Sequence, residues 1–220
     1  MSDDAVSGLE WPERPWVRAV MVVNLTGAIT GPDGRSGTIS GPADREVLLG
    51  VRRFSDAIVI GAQTMRDEVY APLRMSAERQ EARRSRGLAP APRLVIVTAG
   101  LDLPWDAPAF HESALAPLIV TASSATPERR AAVPPTCELL VAPGDRVEVP
   151  WLIDSLHDRG LIRIACEGGA ALLGEFAGAR SIDEWVVTLS GVVGEDRFVP
   201  RSVRSEDEFV FTRFTRRDAL

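Results

Sequence analysis

The chain contains no lysine: all 25 of its basic residues are arginine. This absence removes the phosphate-loop lysine, Schiff-base catalysis and serine–lysine dyads together. Cysteine is almost as scarce. Cys137 and Cys166 are the only two, too few and too far apart for a zinc cluster or a disulfide framework. Cys166, inside the apolar run LIRIAC, is expected to be a buried structural thiol. The two histidines, His111 and His157, cannot complete a metal triad between them, so no metal is expected, and His157 reads as a surface or helix-end residue. No G-x-S-x-G elbow occurs, so a hydrolase triad is not expected either. No apolar run reaches the roughly 18–20 residues of a membrane-spanning helix. The acidic start MSDD lacks the basic-then-apolar pattern of a secretion leader. A cytoplasmic protein without a membrane partner is expected. The net charge of −6 gives no electrostatic grip on nucleic acid, although it permits a local arginine pocket for a small phosphate.

What is present is an ordinary globular composition, 45% hydrophobic over 220 residues, enough for a sizeable core. Residues 1–15, polar and carrying Pro12 and Pro15, read as a flexible arm, and residues 16–220 as one domain. Branched apolar runs at 17–23 (VRAVMVV), 56–61 (DAIVIG), 93–98 (RLVIVT), 117–121 (PLIVT), 137–142 (CELLVA) and 161–167 predict short strands. The first of these suits a strand covered on both faces. A helix is predicted from Pro42, where Val47, Val51 and Phe54 form an i, i+4, i+7 stripe. Others are predicted over 62–68, over 151–159 with Gly160 as a stop, and over 170–179. Strands at 183–189 and 208–214 are candidates for antiparallel pairing. Strands alternating with helices predict an α/β protein with a mostly parallel sheet. Residues 24–41 are polar and glycine-rich, the pattern of a binding loop. Residues 70–92 read as a flexible, arginine-rich excursion with at most one exposed helix.

Three clusters could carry chemistry. Strand, then Glu167-Gly168-Gly169, then helix puts two residues without side chains where free N–H groups open a helix. That suits a dinucleotide diphosphate, although it is not the G-x-G-x-x-G fingerprint, and a plain strand-to-helix turn would read the same. Gly61-Ala62-Gln63-Thr64, with Glu68 four residues past Thr64, repeats the arrangement. Thr64 could hold cofactor phosphate or ribose, or simply cap a short helix. Arg52, at the border of its helix's apolar stripe, and Arg74 could clamp a phosphate together with Ser36, or be solvated surface arginines.

Taken in order, NLTGAIT (24–30), Ser36 with Thr38-Ile39-Ser40, VRRFSDAIVIGAQT (51–64), the strand at 93–98 and CEGGAALL (166–173) resemble one family. It is the C-terminal reductase domain of bacterial RibD, the bifunctional riboflavin deaminase–reductase. The resemblance runs from about residue 17 to 189, and its specific parts are DAIVIGAQT and the EGG turn. It implies a three-layer, dihydrofolate-reductase-like α/β fold with a mostly parallel central sheet and an antiparallel C-terminal edge. It also implies NADPH as cofactor and reduction of the ribosyl group of 5-amino-6-(5-phosphoribosylamino)uracil to ribityl. By the same resemblance, Ser36, Arg52, Leu73, Arg74 and Glu167 contact the phosphorylated substrate, with Glu167 the catalytic candidate. Val22, Thr38, Thr64, Glu68, Thr98 and the backbone of Gly168, Gly169, Ala170, Ala171 and Leu172 would contact NADPH.

The sequence also departs from the family. Its usual S-L-D-G is Asn24-Leu25-Thr26-Gly27 here, without the acidic residue, and Thr38 stands where many relatives carry an aromatic. No H-x-E and P-C-x-x-C pair is present to bind a deaminase zinc, so reduction alone is expected. A dihydrofolate or pterin reductase and a non-catalytic NADPH-binding module of the same fold remain open alternatives. A homodimer is expected: the strand at 208–214 is apolar on both faces and needs cover, and relatives in the family are commonly dimers.

Overall fold

Branched apolar runs settle in the middle of a sheet when both of its faces are covered. The computed structural model describes residues 8–68 and 70–219. In it, β1 (Trp16–Asn24), β2 (Ala57–Gly61), β3 (Arg93–Val97), β4 (Leu118–Ala122), β5 (Glu138–Ala142), β6 (Arg163–Gly168) and β7 (Glu184–Ser190) form one seven-stranded sheet. The strand order is β5-β4-β3-β2-β6-β1-β7, and the pairings β1–β6, β6–β2, β2–β3, β3–β4 and β4–β5 are all parallel. Ile58, Val59, Ile60, Leu94, Val95, Ile96, Leu118, Ile119 and Val120 are fully buried. At roughly 1.5–3 kcal/mol for each large branched side chain removed from water, these three strands are the main stabilising layer.

The helices α1 (Pro42–Phe54), α2 (Ala62–Asp67), α3 (Ala77–Arg84), α4 (Pro108–Glu112), α5 (Pro127–Ala131), α6 (Val149–His157) and α7 (Ala170–Gly178) alternate with the strands. The expected α/β architecture with a mostly parallel sheet is the one observed. After β2 the chain moves toward β3, whereas after β6 it moves toward β7, on the other side. The topology therefore reverses between the neighbours β2 and β6, and parallel α/β sheets bind ligands at such a boundary, beyond the strands' C-terminal ends. At their other ends, Asp56 holds the strands in register. Its carboxylate accepts from the backbone N–H of Arg163 (2.8 Å) and, bidentately, from the Arg163 guanidinium (2.9 and 3.0 Å).

The chain forms two compact units. The larger comprises the chain up to Val20 and Glu46–Val186; the smaller comprises Met21–Arg45 and the chain from Val187 onward. The smaller unit contains β8 (Val192–Val193), β9 (Asp196–Glu206) and β10 (Phe209–Arg216), paired antiparallel in the order β10-β9-β8. The antiparallel C-terminal strands are thus present, as a sheet of their own. The partner of β10 is β9 rather than β7, and β7 lies beside β1. Gly191 admits this path: a Cβ there would overlap the Phe198 carbonyl, which belongs to the residue whose N–H donates to Gly191 O (2.8 Å).

Two segments expected to be loose are tied down by buried arginines. Residues 1–7 of the expected arm lie outside the described residues. Further along, Trp11 donates through Nε1 to the Val51 carbonyl (3.1 Å). Arg18, 1% exposed, donates to the Leu9 and Glu10 carbonyls and pairs with Glu184 (2.8 Å). The arginine-rich excursion is likewise anchored. Arg83 is fully buried on α3 and donates to the Ala89, Arg53 and Ser55 carbonyls (2.7–2.9 Å). It fastens α3 to the end of α1, and burial pulls its pKa down to about 10. Charged residues hid both anchors from a hydropathy reading.

Candidate active site

Glu167 is the fifth residue of β6 (Arg163–Gly168), and its side chain meets Arg52 from the last turn of α1. Arg52 Nε donates to Glu167 Oε1 (2.7 Å) and Nη2 to Oε2 (2.6 Å), a bidentate pair. Tyr70 closes the group: its hydroxyl accepts from Arg52 Nη2 (2.8 Å) and donates to Glu167 Oε2 (2.8 Å). The two charged side chains are only 18% and 8% exposed, so water screens them little. Burial by itself would pull the Arg52 pKa down. The Glu167 carboxylate, helped by Tyr70, outweighs it and leaves the guanidinium above its ordinary range. Burial and then the Glu167 carboxylate push the Tyr70 phenol well above its usual 10, and Arg52 offsets only part of this. The guanidinium therefore keeps its charge, and the phenol is neutral.

One residue past Glu167, Gly168 has a φ of +90°, in the region that favours glycine, and the Gly168–Gly169 peptide is cis. Gly169 precedes α7 without a side-chain cap. The N–H groups of Ala170, Ala171 and Leu172 fall in the first turn, where helix geometry supplies no partner one turn back. The start of α2 lies against this turn. A Cβ on Gly61 would stand 3.8 Å from the Gly168 carbonyl oxygen, and one on Gly169 would come within 3.2 Å of Thr64 Oγ1. Two helix starts, one hydroxyl and three glycines thus meet beyond adjacent strand ends. An anionic diphosphate fits this donor set, and a side chain at Gly169 would crowd the Thr64 hydroxyl.

The other sequence-predicted residues are distributed as follows. Glu68 ends α2, with its N–H donating to the Thr64 carbonyl (3.0 Å). Thr98 lies just past β3, buried, with its hydroxyl oxygen accepting from Leu101 N–H (3.0 Å), so it shapes its own turn. The Leu73 side chain is part of the hydrophobic core, while its N–H donates to Ser113 Oγ (3.1 Å). Arg74 pairs with Glu112 (2.8 Å) rather than with the Arg52 group, and both partners are at least half exposed. Leu172 is buried in α7, whereas Ala170 and Ala171 are exposed.

Val22, Ser36 and Thr38 belong to the smaller unit. Val22 is a half-buried residue of β1, and Ser36 opens a 3-10 turn, Ser36–Thr38. Thr38 lines a cleft of about 420 Å³ together with Asn24, Thr26, Val192 and Arg197. The floor of its loop is fixed by Asn24, whose Oδ1 accepts from the Thr26 N–H, the Thr26 hydroxyl and the Ala28 N–H (2.8–3.0 Å). Thr26, which stands where the family carries an acid, is thus committed to Asn24.

Tyr70 is the member that sequence reasoning missed. A lone aromatic in an irregular segment has no periodicity to mark it. The available signal was its being the chain's single tyrosine, two residues past Glu68.

The chain matches the RibD C-terminal domain over residues 15–212. It is 29% identical over 171 residues to the 2,5-diamino-6-ribosylamino-4(3H)-pyrimidinone 5′-phosphate reductase of Archaeoglobus fulgidus, covering 78% of each chain. It is 30% identical over 183 residues to the protein of the same name from Methanothermobacter thermautotrophicus, covering 82% of this chain and 79% of the other. Among solved structures, a pyrimidine reductase-like protein from Corynebacterium diphtheriae superposes with a TM-score of 0.75 over 92% of both chains at 24% identity, a likeness of fold. The match across nearly the whole sequence shows that this chain belongs to the RibD C-terminal domain family.

Proposed function

We propose that the chain is an NADPH-dependent reductase of riboflavin biosynthesis, converting the ribosyl group of a 6-ribosylaminopyrimidine 5′-phosphate to ribityl. The observation that carries this reading is Glu167, held in one orientation by Arg52 and Tyr70 immediately before the Gly168–Gly169 turn. A substrate-aligning group thereby adjoins a nucleotide-binding turn. When bound there, NADPH supplies the hydride. The backbone of Gly169, Ala170 and Ala171 and the Thr64 hydroxyl would hold its diphosphate, with Thr38, Val22, Glu68 and Thr98 assigned to the rest of the cofactor by family position.

The Arg52–Glu167 and Arg74–Glu112 pairs suit different tasks. The exposed Arg74–Glu112 pair is worth about 0–1 kcal/mol, so a phosphate dianion can displace Glu112 at little cost. Arg52 cannot leave Glu167 so cheaply, because uncoupling a buried pair costs about 3–5 kcal/mol. Arg74 is therefore assigned the substrate phosphate, and Arg52 with Glu167 the sugar; Ser36 is assigned to the substrate by family position alone. Orientation of this kind is worth up to about 7–11 kcal/mol when reacting atoms are well aligned.

The names of the archaeal relatives favour the 2,5-diamino-4(3H)-pyrimidinone base over the 5-aminouracil expected from the sequence, and the reduced carbon is the same in both. No helix among the described residues is long and apolar enough to cross a membrane. A phosphorylated intermediate and a reduced nicotinamide suit a cytoplasmic enzyme with small-molecule partners, and the exposed Val203, Phe209 and Val210 suit a homodimer. The test is NADPH consumption with each of the two phosphoribosylamino pyrimidines and with dihydrofolate. Turnover of either pyrimidine, faster with the diamino compound, is expected. Turnover of dihydrofolate alone would replace this reading with a pterin reductase, and none at all with a binding module.

A further inference from the structure

We propose that Tyr70 is the positioning residue of this site: its hydroxyl completes a hydrogen-bonded circuit with Arg52 and Glu167 that leaves one acceptor position on Glu167 and one donor nitrogen on Arg52 without a protein partner among the described residues. An ionised carboxylate offers about four lone-pair positions. Three on Glu167 are filled, one on Oε1 by Arg52 Nε and two on Oε2 by Arg52 Nη2 and Tyr70. The remaining position is on Oε1. On the guanidinium, Nε and Nη2 are committed, and Nη1 alone has no protein partner among the described residues. The open Oε1 position can accept from a sugar hydroxyl, and the N–H groups of Nη1 can donate to one. That the sugar is the substrate's ribosyl group rests on the reductase reading.

Tyr70 is not the proton donor of the reaction. Its O–H is already given to Glu167, and the anion left by its loss would stand beside the Glu167 carboxylate. The groups facing the phenol are Arg52 from α1 and Glu167 from β6. Its own N–H donates to the Glu68 carbonyl at the end of α2 (2.9 Å), and the ring packs against the hydrophobic core. The phenol is thus held from α1 and β6 while its backbone is fixed at the end of α2, and its rotation is prevented while the circuit is intact.

Two measurements test this. Because Tyr70 is the single tyrosine, tyrosinate absorbance reports it alone. The native protein should show none through about pH 10, where a free phenol is half ionised, with tryptophan emission confirming the fold. In Glu167→Gln the step should come in at lower pH. A phenol that titrates ordinarily in the native protein, or one indifferent to Glu167→Gln, would overturn the circuit. Second, Tyr70→Phe, which removes both hydrogen bonds of the hydroxyl, should raise the KM for the phosphoribosylamino pyrimidine about tenfold, with the KM for NADPH unchanged. An unchanged substrate KM, or equal increases in both KM values alongside lost thermal stability, would reduce Tyr70 to a structural residue. If the wild type turns over neither pyrimidine, the reductase reading fails, and the titration still decides for or against the circuit.

Discussion

At the scale of single residues, the contrast between Arg52 and Arg74 shows why identical side chains deserve different predictions. Arg52→Ala removes two of the three hydrogen bonds accepted by a carboxylate that is 8% exposed. It should cost about 3–5 kcal/mol, because a buried charge is left unpaired. Chemical denaturation would show this as a lower midpoint, and Arg52→Lys should restore only part of it, since an ammonium cannot bond bidentately. Arg74→Ala should leave stability within about 0.5 kcal/mol, yet raise the KM of the phosphorylated substrate and not that of its dephosphorylated analogue. A stability loss from Arg74→Ala as large as that from Arg52→Ala would refute the division of labour. Tyr70 adds a pH dependence. Its folded pKa is raised above the unfolded value of about 10, so its contribution to stability is complete below pH 10 and disappears as pH rises through the folded value. Unfolding free energy should accordingly fall in alkaline solution more steeply for the wild type than for Tyr70→Phe. The comparison also cancels Cys166, whose buried thiol is pushed up to about 12 in both proteins.

At the scale of elements, the candidate site lies where two strand-to-helix turns meet, β2 into α2 and β6 into α7. Gly169→Ala tests the junction directly. The new Cβ would lie 3.2 Å from Thr64 Oγ1, tighter than ordinary contact, in a turn at the surface end of the sheet. NADPH affinity, measured by calorimetry, should fall about tenfold, a loss of roughly 1.4 kcal/mol, with little change in thermal midpoint. Unaltered affinity would remove the diphosphate from this turn. The elements that form this junction were legible beforehand. AIVIG and the EGG turn carry their own signals, an unbroken apolar run and paired glycines, and these depend on local backbone chemistry. Leu73 was less legible. Family position gave it to the substrate, whereas its side chain lies in the core, because an apolar residue's neighbours are set by distant packing. The Tyr70 circuit was invisible for the same reason: its members are 18, 97 and 115 residues apart in pairs, and no local pattern links them.

At the scale of the whole molecule, the β9–β10 ribbon calls for a partner. β9 escaped sequence reading because Arg197, Arg201 and Arg204 interrupt it and Pro200 sits at its centre, so no apolar face repeats along it. Its register with β10 sorts the exposed residues onto two faces. Phe211 lies opposite Arg204, and Arg204 stacks 4.5 Å from the Phe211 ring, with Phe209 two residues away on the same side. Val203 lies opposite Thr212, and so shares the other side with Val210. Val203, Phe209 and Val210 are 64–67% exposed, and a two-stranded ribbon with apolar residues on both faces is at best marginally stable in water. A second copy of the chain would cover it, and light scattering should then report about twice the 23.8 kDa chain mass. Placing a charge at the ribbon, as in Phe211→Asp or Val210→Asp, should shift the protein to monomer and abolish the dependence of its thermal midpoint on protein concentration. Wild-type protein that stays monomeric at micromolar concentration, with a midpoint independent of concentration, would show that the ribbon needs no second copy.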